Sequence, residues 1–513
     1  MYRMAIKMKT KKLAFLLLSA LFVLSVLPLG VSAASAPATP ASTASITIEN
    51  ALENDQLSAY KVVDITYDDG KNTLSYAWDS AFADYFSGTT SYNTTAYTVE
   101  AFAALADDSD ALKDLLAKLP NYIKDRAIAP VQAKTVGADG KATFTDLAMG
   151  EYFIRPTLTT SVYQLMLQKV EPTVANVDGT ETYVIDDVAF TAKKEKVNIT
   201  KTADKTSVTK NEKVTYTITA DIPTYSENAA DKSFSVYDLL PDGLTMDTAS
   251  ITVQRDGTDI TDQAGTQYTL DKASNTTTEP YYTFKLSVDT TQYADNWPAS
   301  GGKQLIISYT ATLNDDAEVN TKETNIVTFD YSFYPYVENS HNQKSDEVDV
   351  TTFAIRINKF VKDKTDTKLA DAKFDLYRTA SQAEIDAGTA VEIPHTRIPG
   401  IKLESDKITD ANGVATFEKY EANGTNYDYY LVETVAPSGY NILDDAVKVN
   451  FTDAEVAATS GVYTVDVPNS SGIKLPMTGG TGTVVFTVIG IALMVGAVLL
   501  FIFSRKKTNN EVK

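Results

Sequence analysis

Apolar and polar side chains alternate along most of this chain. Val214-Thr215-Tyr216-Thr217-Ile218-Thr219 is representative: every second residue is apolar, the period of a strand with one buried face. Turn clusters such as Asp68-Asp69-Gly70 and Pro241-Asp242-Gly243 separate these runs, the layout expected of β-sandwiches. One stretch departs from the rule. From Val99 to about Asp125, Phe102, Leu105, Leu112, Leu115, Leu116 and Leu119 recur at helical spacing. The pattern therefore predicts a mainly β chain of tandem sandwiches, the first carrying helical insertions.

Two continuous apolar runs lie at the ends. Lys7, Lys9, Lys11 and Lys12 precede Leu13 to Leu29, and Val31-Ser32-Ala33 offers a small-residue cleavage site, so residues 1–33 are predicted to be a secretory signal peptide. The run Val484 to Phe503 has the roughly 20 residues that cross a hydrocarbon core, and Ser504-Arg505-Lys506-Lys507 behind it should stay cytoplasmic. A C-terminal transmembrane helix is expected there. Between the ends the remaining length suggests about three domains. Charged stretches place their limits at 34–194, 195–350 and 351–474, followed by a terminal segment 475–513. Asp139-Gly140-Lys141-Ala142-Thr143-Phe144 recurs as Asn412-Gly413-Val414-Ala415-Thr416-Phe417, and a Tyr-containing strand follows each copy. The first and third domains thus read as variants of one sandwich.

Charge and composition narrow the function. The whole chain carries −21; without residues 1–33 and 479–513 it carries −29. Such a surface repels nucleic acid and anionic lipid. With no cysteine, disulfides cannot staple the exported chain. With His341 and His395 as the only histidines, a structural or catalytic zinc site is not expected, and no cofactor is implied. A hydrolase finds no support either, for want of a His paired with a plausible nucleophile or a phosphate-cradling Gly loop.

The distinctive chemistry appears when strands are read at period 2, where i and i+2 share a face. Lys201 then points with Val197 and Ile199, and Lys359 with Ile355 and Ile357. Asn325 shares a face with Val327, Phe329 and Tyr331, and Asn469 with Tyr463, Val465 and Val467. Asp238 aligns with Phe234 and Val236, Glu433 with Tyr429 and Leu431. Burial lowers a lysine's pKa and raises a carboxyl group's. A neutral amine is a nucleophile, and a protonated acid polarises an amide carbonyl while shuttling protons. An amine, an acid and an asparagine held away from water are thus equipped to form a Lys–Asn amide with loss of ammonia. The plain alternative is that the lysines snorkel outward into ordinary ion pairs.

Three stretches carry a family resemblance. Leu475-Pro476-Met477-Thr478-Gly479, ahead of the apolar run and basic tail, resembles the sorting signal that sortases of Gram-positive bacteria cut between Thr and Gly. Ile199-Thr200-Lys201-Thr202, Tyr237-Asp238-Leu239-Leu240-Pro241-Asp242-Gly243-Leu244 and Asn325-Ile326-Val327-Thr328-Phe329 resemble the middle domain of major (backbone) pilins. Lys359, Ala372-Lys373-Phe374-Asp375-Leu376-Tyr377 and Tyr430-Leu431-Val432-Glu433-Thr434-Val435-Ala436-Pro437 resemble their C-terminal domain, the last stretch its E-box. The resemblance implies Ig-like sandwiches, CnaA-type in the middle and CnaB-type on either side. It further implies intramolecular isopeptides Lys201–Asn325 assisted by Asp238, which would tie the first strand of the middle domain to its last, and Lys359–Asn469 assisted by Glu433. The first domain lacks the set: Arg155 stands where Glu433 does, and Ser45 to Glu49 contains no lysine.

Backbone pilins are joined by a sortase from the sorting-motif Thr to a lysine, normally in a Tyr-Pro-Lys motif. Here Thr191-Ala192-Lys193 occupies that place, with Lys194 and Lys196 as further acceptors and a plain interdomain hinge as the alternative. The resemblance thus implies a pilus shaft subunit whose partners are sortases, other pilin subunits and peptidoglycan. The competing function is a wall-anchored, unpolymerised adhesin with a host or matrix ligand.

Overall fold

The computed structural model describes residues 36–106, 109–159, 161–177, 180–290, 304–424, 427–472 and 481–508. The signal-peptide segment and the pentapeptide Leu475, Pro476, Met477, Thr478 and Gly479 lie outside them. Strands dominate, and the chain divides into two compact units. One runs to Val350 without two short segments, 207–209 and 318–321; those join the second unit, which continues from Thr351.

The first unit begins with a sandwich whose opening strand, Thr43–Glu49, alternates buried and half-exposed positions, with Ile46 and Ile48 inward. It pairs antiparallel with Ala142–Ala148 and parallel with Val188–Thr191. The facing sheet is built on the strands Gln56–Asp68 and Gly150–Leu158. The helical insertions of the sequence fall in two helices over this run, Val99–Ala103 and Asp110–Asp125. Ser109 divides them because its hydroxyl accepts the Leu112 N–H and caps the second helix. Leu112, Leu115, Leu116 and Leu119 form that helix's buried stripe.

A second pair of sheets follows in the same unit. Ile199–Ala203, Lys213–Asp221 and Gln304–Leu313 lie side by side in one. Phe284–Asp289, Ser233–Leu239, Glu323–Ser332 and His341–Val350 lie side by side in the other. Asn325 therefore sits on the penultimate strand. A sequence reading that ties the first strand of this domain to its last is corrected by His341–Val350, whose ten residues pair along the whole of Glu323–Ser332.

The second unit repeats the plan of the first sandwich. Its opening strand Phe353–Val361 is antiparallel to Val414–Tyr420 and parallel to the closing strand Val462–Asn469. The facing sheet centres on Lys373–Thr379 and Tyr429–Val435. The sequence echo thus marks one topological step, the turn into the strand beside the opening strand, and both of its glycines have positive φ, 73° at Gly140 and 71° at Gly413.

The expected membrane span falls on one helix, Thr481–Thr508. Among the described residues no helix is long and apolar enough to cross a membrane.

The two echoed glycines differ in their surroundings. A Cβ at Gly413 would lie 2.2 Å from the Lys359 carbonyl oxygen, whereas one at Gly140 would meet only the Ala51 carbonyl oxygen, at 3.2 Å. Both substitutions to Ala carry the left-handed cost of about 1–2 kcal/mol. Gly413→Ala adds overpacking worth about 1–3 kcal/mol, because the opening strand must shift. Thermal unfolding should show Gly413→Ala as clearly the more destabilising of the two; equal effects would contradict this packing.

Candidate functional site

Among the described residues two lysines are fully buried, Lys201 and Lys359, and these are the two that the strand period points inward. Each stands at the end of an apolar face. Val197, Ile199 and Lys201 are 1%, 3% and 4% exposed, and Ile355, Ile357 and Lys359 are all 0% exposed. Snorkelling to the surface is excluded for both.

In the middle sandwich Lys201 comes from one sheet, while Asp238 and Asn325 come from adjacent strands of the other. The Lys201 Nζ contacts an Asp238 carboxylate oxygen and donates to the Tyr309 hydroxyl at 3.1 Å. The Tyr309 O–H donates to Asp238 Oδ1 at 2.8 Å, and Asn325 Nδ2 donates to the Tyr309 oxygen at 2.7 Å. Tyr216 and Tyr309 flank the amine, their ring centroids 5.4 and 5.3 Å from Nζ. Burial holds the Lys201 amine below the ordinary lysine value against the pull of Asp238. Burial likewise pushes the Asp238 carboxyl up, against Lys201 and Tyr309. Both directions favour a neutral amine beside a protonated acid.

In the second unit the arrangement differs. Lys359 and Asn469 lie on neighbouring parallel strands of one sheet, in register Lys359↔Val467 and Val361↔Asn469. Glu433 reaches them from the opposite sheet. Lys359 Nζ is 2.9 Å from Glu433 Oε1 and donates to Asn469 Oδ1. Asn469 Nδ2 donates to both Glu433 oxygens, at 3.0 and 3.1 Å, and the Leu443 N–H donates to Oε2 at 2.8 Å. Burial lowers the Lys359 amine, with Glu433 opposing. In both sites a nucleophile, an amide and an acid are gathered in a buried interior, with the acid on the amide nitrogen directly in the second unit and through Tyr309 in the middle sandwich.

The structure thus brings together all six residues singled out in the sequence. Tyr309 was missed, although its face of Gln304–Leu313 (Leu305, Ile307, Tyr309, Ala311, Leu313) was readable at period 2. The first sandwich holds no counterpart. None of its described lysines is buried, and half-buried Arg155 lies over the Tyr334 ring, 5.8 Å from its centroid. The three linker lysines are not on a loose hinge. Lys194–Lys196 pairs with Ser161–Tyr163, and the Lys193 carbonyl accepts the Gln164 N–H at 3.0 Å. The Lys193 and Lys196 side chains are exposed and Lys194 is half-buried.

Residues 354–464 match the prealbumin-like fold domain of the SpaA family, and residues 467–510 match the LPXTG cell wall anchor motif. The fimbrial subunit type 1 of Actinomyces viscosus is 26% identical over 421 residues, 74% of this chain and 77% of that protein. In anchor motif and sequence the chain is thus similar to fimbrial subunits of Gram-positive bacteria. Among other pilins, the fimbrial subunit type 2 of Actinomyces naeslundii is 25% identical over 73% of each chain. The T6 backbone pilin of Streptococcus pyogenes superposes with a TM-score of 0.56 at 17% identity, over 84% of this chain and 99% of its own. The major pilin SpaD of Corynebacterium diphtheriae gives 0.54 at 15%, over 85% and 99%. At such identities these two structures speak for the shared fold. Anchor, sandwiches and relatives together are those of a sortase-assembled pilus backbone.

Removing one partner of a buried ion pair costs about 3–5 kcal/mol, more than replacing both by apolar groups. Glu433→Ala should therefore be less stable in denaturant than Lys359→Met combined with Glu433→Leu; neither can form the amide, so the gap reads the stranded ammonium. Lys359 is lowered in the folded chain, and losing Glu433 removes a group that raises it. Relative to the double variant, the single variant should then lose stability as pH falls through the lowered lysine value and gain it toward the ordinary 10.5, the other titrating groups being common to both. Equal stabilities at every pH would contradict the assignment.

Proposed function

We propose that this chain is a pilus shaft subunit whose second and third sandwiches each close with a self-made Lys–Asn amide. The bonds are Lys201–Asn325, promoted by Asp238, and Lys359–Asn469, promoted by Glu433. The observation carrying this reading is that each of the two buried lysines contacts one acid and is joined to one asparagine, Lys359 directly and Lys201 through the Tyr309 hydroxyl. No other described lysine is buried. Such a bond would close a long loop and stabilise its domain by roughly 4–5 kcal/mol on the chain-entropy account used for disulfides. It gives a cysteine-free exported chain its covalent staple.

Polymerisation follows from the two ends of the first-to-last path. In this reading the C-terminal helix and basic tail hold the chain at the membrane until a pilin sortase transfers Thr478 to Lys193 of the next subunit. A housekeeping sortase then joins the last subunit to peptidoglycan. Lys193 is favoured over Lys194 because its side chain is exposed. It is favoured over Lys196 because Thr191-Ala192-Lys193 occupies the place of the pilin motif. The three sandwiches, 34–194, 195–350 and 351–474, are the modules of the shaft.

The intact mass of the exported region should fall short of the sequence mass by two ammonia molecules. Lys201→Ala and Lys359→Ala should each restore one, after allowing for the side-chain change; an unmodified mass removes the amides. A wall extract boiled in detergent should give a high-mass ladder that collapses in Lys193→Ala. A single band near monomer mass in the parent strain would favour the unpolymerised adhesin.

A further inference from the structure

The two sites solve one chemical problem with acids of different reach. In the second unit both Glu433 oxygens lie within 3.1 Å of Asn469 Nδ2, so the acid addresses the leaving nitrogen directly. In the middle sandwich the acid is one methylene shorter, and Asn325 Nδ2 bonds instead to the Tyr309 oxygen. Tyr309 is 1% exposed and its hydroxyl is saturated: its proton goes to Asp238 Oδ1, and its two lone pairs take Lys201 Nζ and Asn325 Nδ2. Among the described residues its hydroxyl is the one group hydrogen-bonded to nucleophile, acid and leaving group together.

We propose that the Tyr309 hydroxyl is a catalytic proton relay in the middle domain, linking Asp238 to the departing amide nitrogen of Asn325. The proposal rests on the reading that Lys201 and Asn325 join. The step balances from a neutral Lys201 amine and a protonated Asp238. Lys201 Nζ bonds to Asn325 Cγ, and the Cγ–Nδ2 bond breaks. With Asp238 protonated on Oδ1, that O–H donates to the Tyr309 oxygen and the Tyr309 O–H turns to Nδ2, reversing both hydrogen bonds. As the Cγ–Nδ2 bond breaks, the hydroxyl gives its proton to Nδ2 and takes the one from Asp238 Oδ1. Asp238 Oδ2 receives the proton that the lysine nitrogen sheds. Ammonia leaves, and tyrosine and acid end as they began. The phenol stays un-ionised throughout, because burial, with Asp238 beside it, raises its pKa far above the ordinary value.

The test uses the full chain made in a host without sortase and digested to peptides. The branched peptide joining residues 201 and 325 is followed over time against the one joining 359 and 469, an internal control in the same molecule. Tyr309→Phe should slow the first by about 100-fold, the low end of what a positioned acid or base supplies, and leave the second unchanged. Adding Asp238→Glu to Tyr309→Phe should restore the first, because the longer acid then reaches Nδ2 as Glu433 does. Bond formation at the parent rate in Tyr309→Phe overturns the relay. So does a loss that Asp238→Glu fails to rescue, which assigns Tyr309 to packing alone. A parent chain with no 201–325 peptide instead overturns the underlying cross-link reading, a different result from either.

Discussion

A lysine amine taken out of water is the constraint on which the rest of this structure turns. Left charged and alone it would cost its domain several kcal/mol. Lys201 and Lys359 are spared this by an acid each, and burial moves amine and acid toward their neutral forms at Lys201 and lowers the amine at Lys359. The fold supplies the same dry setting that makes an amine nucleophilic and an asparagine carbonyl worth attacking. On the proposed reading, stability and reactivity would have one cause.

The two sites reach that state by different topologies, with mechanical consequences. In the second unit Lys359 and Asn469 sit on the opening and closing strands, so an amide there would join the two ends of the sandwich side by side. A pull on the ends would bypass the sheets. In the middle sandwich the bond would cross from sheet to sheet and stop at Asn325, leaving residues 326–350 outside the loop. That segment depends on the long antiparallel pairing of Glu323–Ser332 with His341–Val350. Among its described residues the first sandwich has no buried lysine, and Arg155 stands where the sequence echo aligns Glu433. It is held by packing, hydrogen bonds and exposed ion pairs such as Lys141–Glu49.

Much of this was legible in the chain because strand alternation is a strong code. The faces holding Lys201, Asp238, Asn325, Lys359, Glu433 and Asn469 follow from counting by twos, and the glycine echo correctly paired two sandwiches of equal topology. What period 2 cannot give is which strands face one another. Asn325 was therefore taken to lie on a last strand when it lies on the penultimate one. Tyr309 was overlooked for the same reason: its face was readable, but its meeting with three other strands is a tertiary fact. The helical insertions were legible from their spacing, but periodicity does not register the break that Ser109 imposes by capping. The loose-hinge alternative for Lys193 to Lys196 fails on a short pairing with Ser161–Tyr163, too brief to leave a pattern.

Electron density at the two lysines tests the central claim most directly. A crystal structure of the exported chain should show continuous density from Lys201 Nζ to Asn325 Cγ and from Lys359 Nζ to Asn469 Cγ, planar as an amide and lacking the former Nδ2. Two separate side chains at van der Waals distance, with the asparagine amides intact, would contradict it.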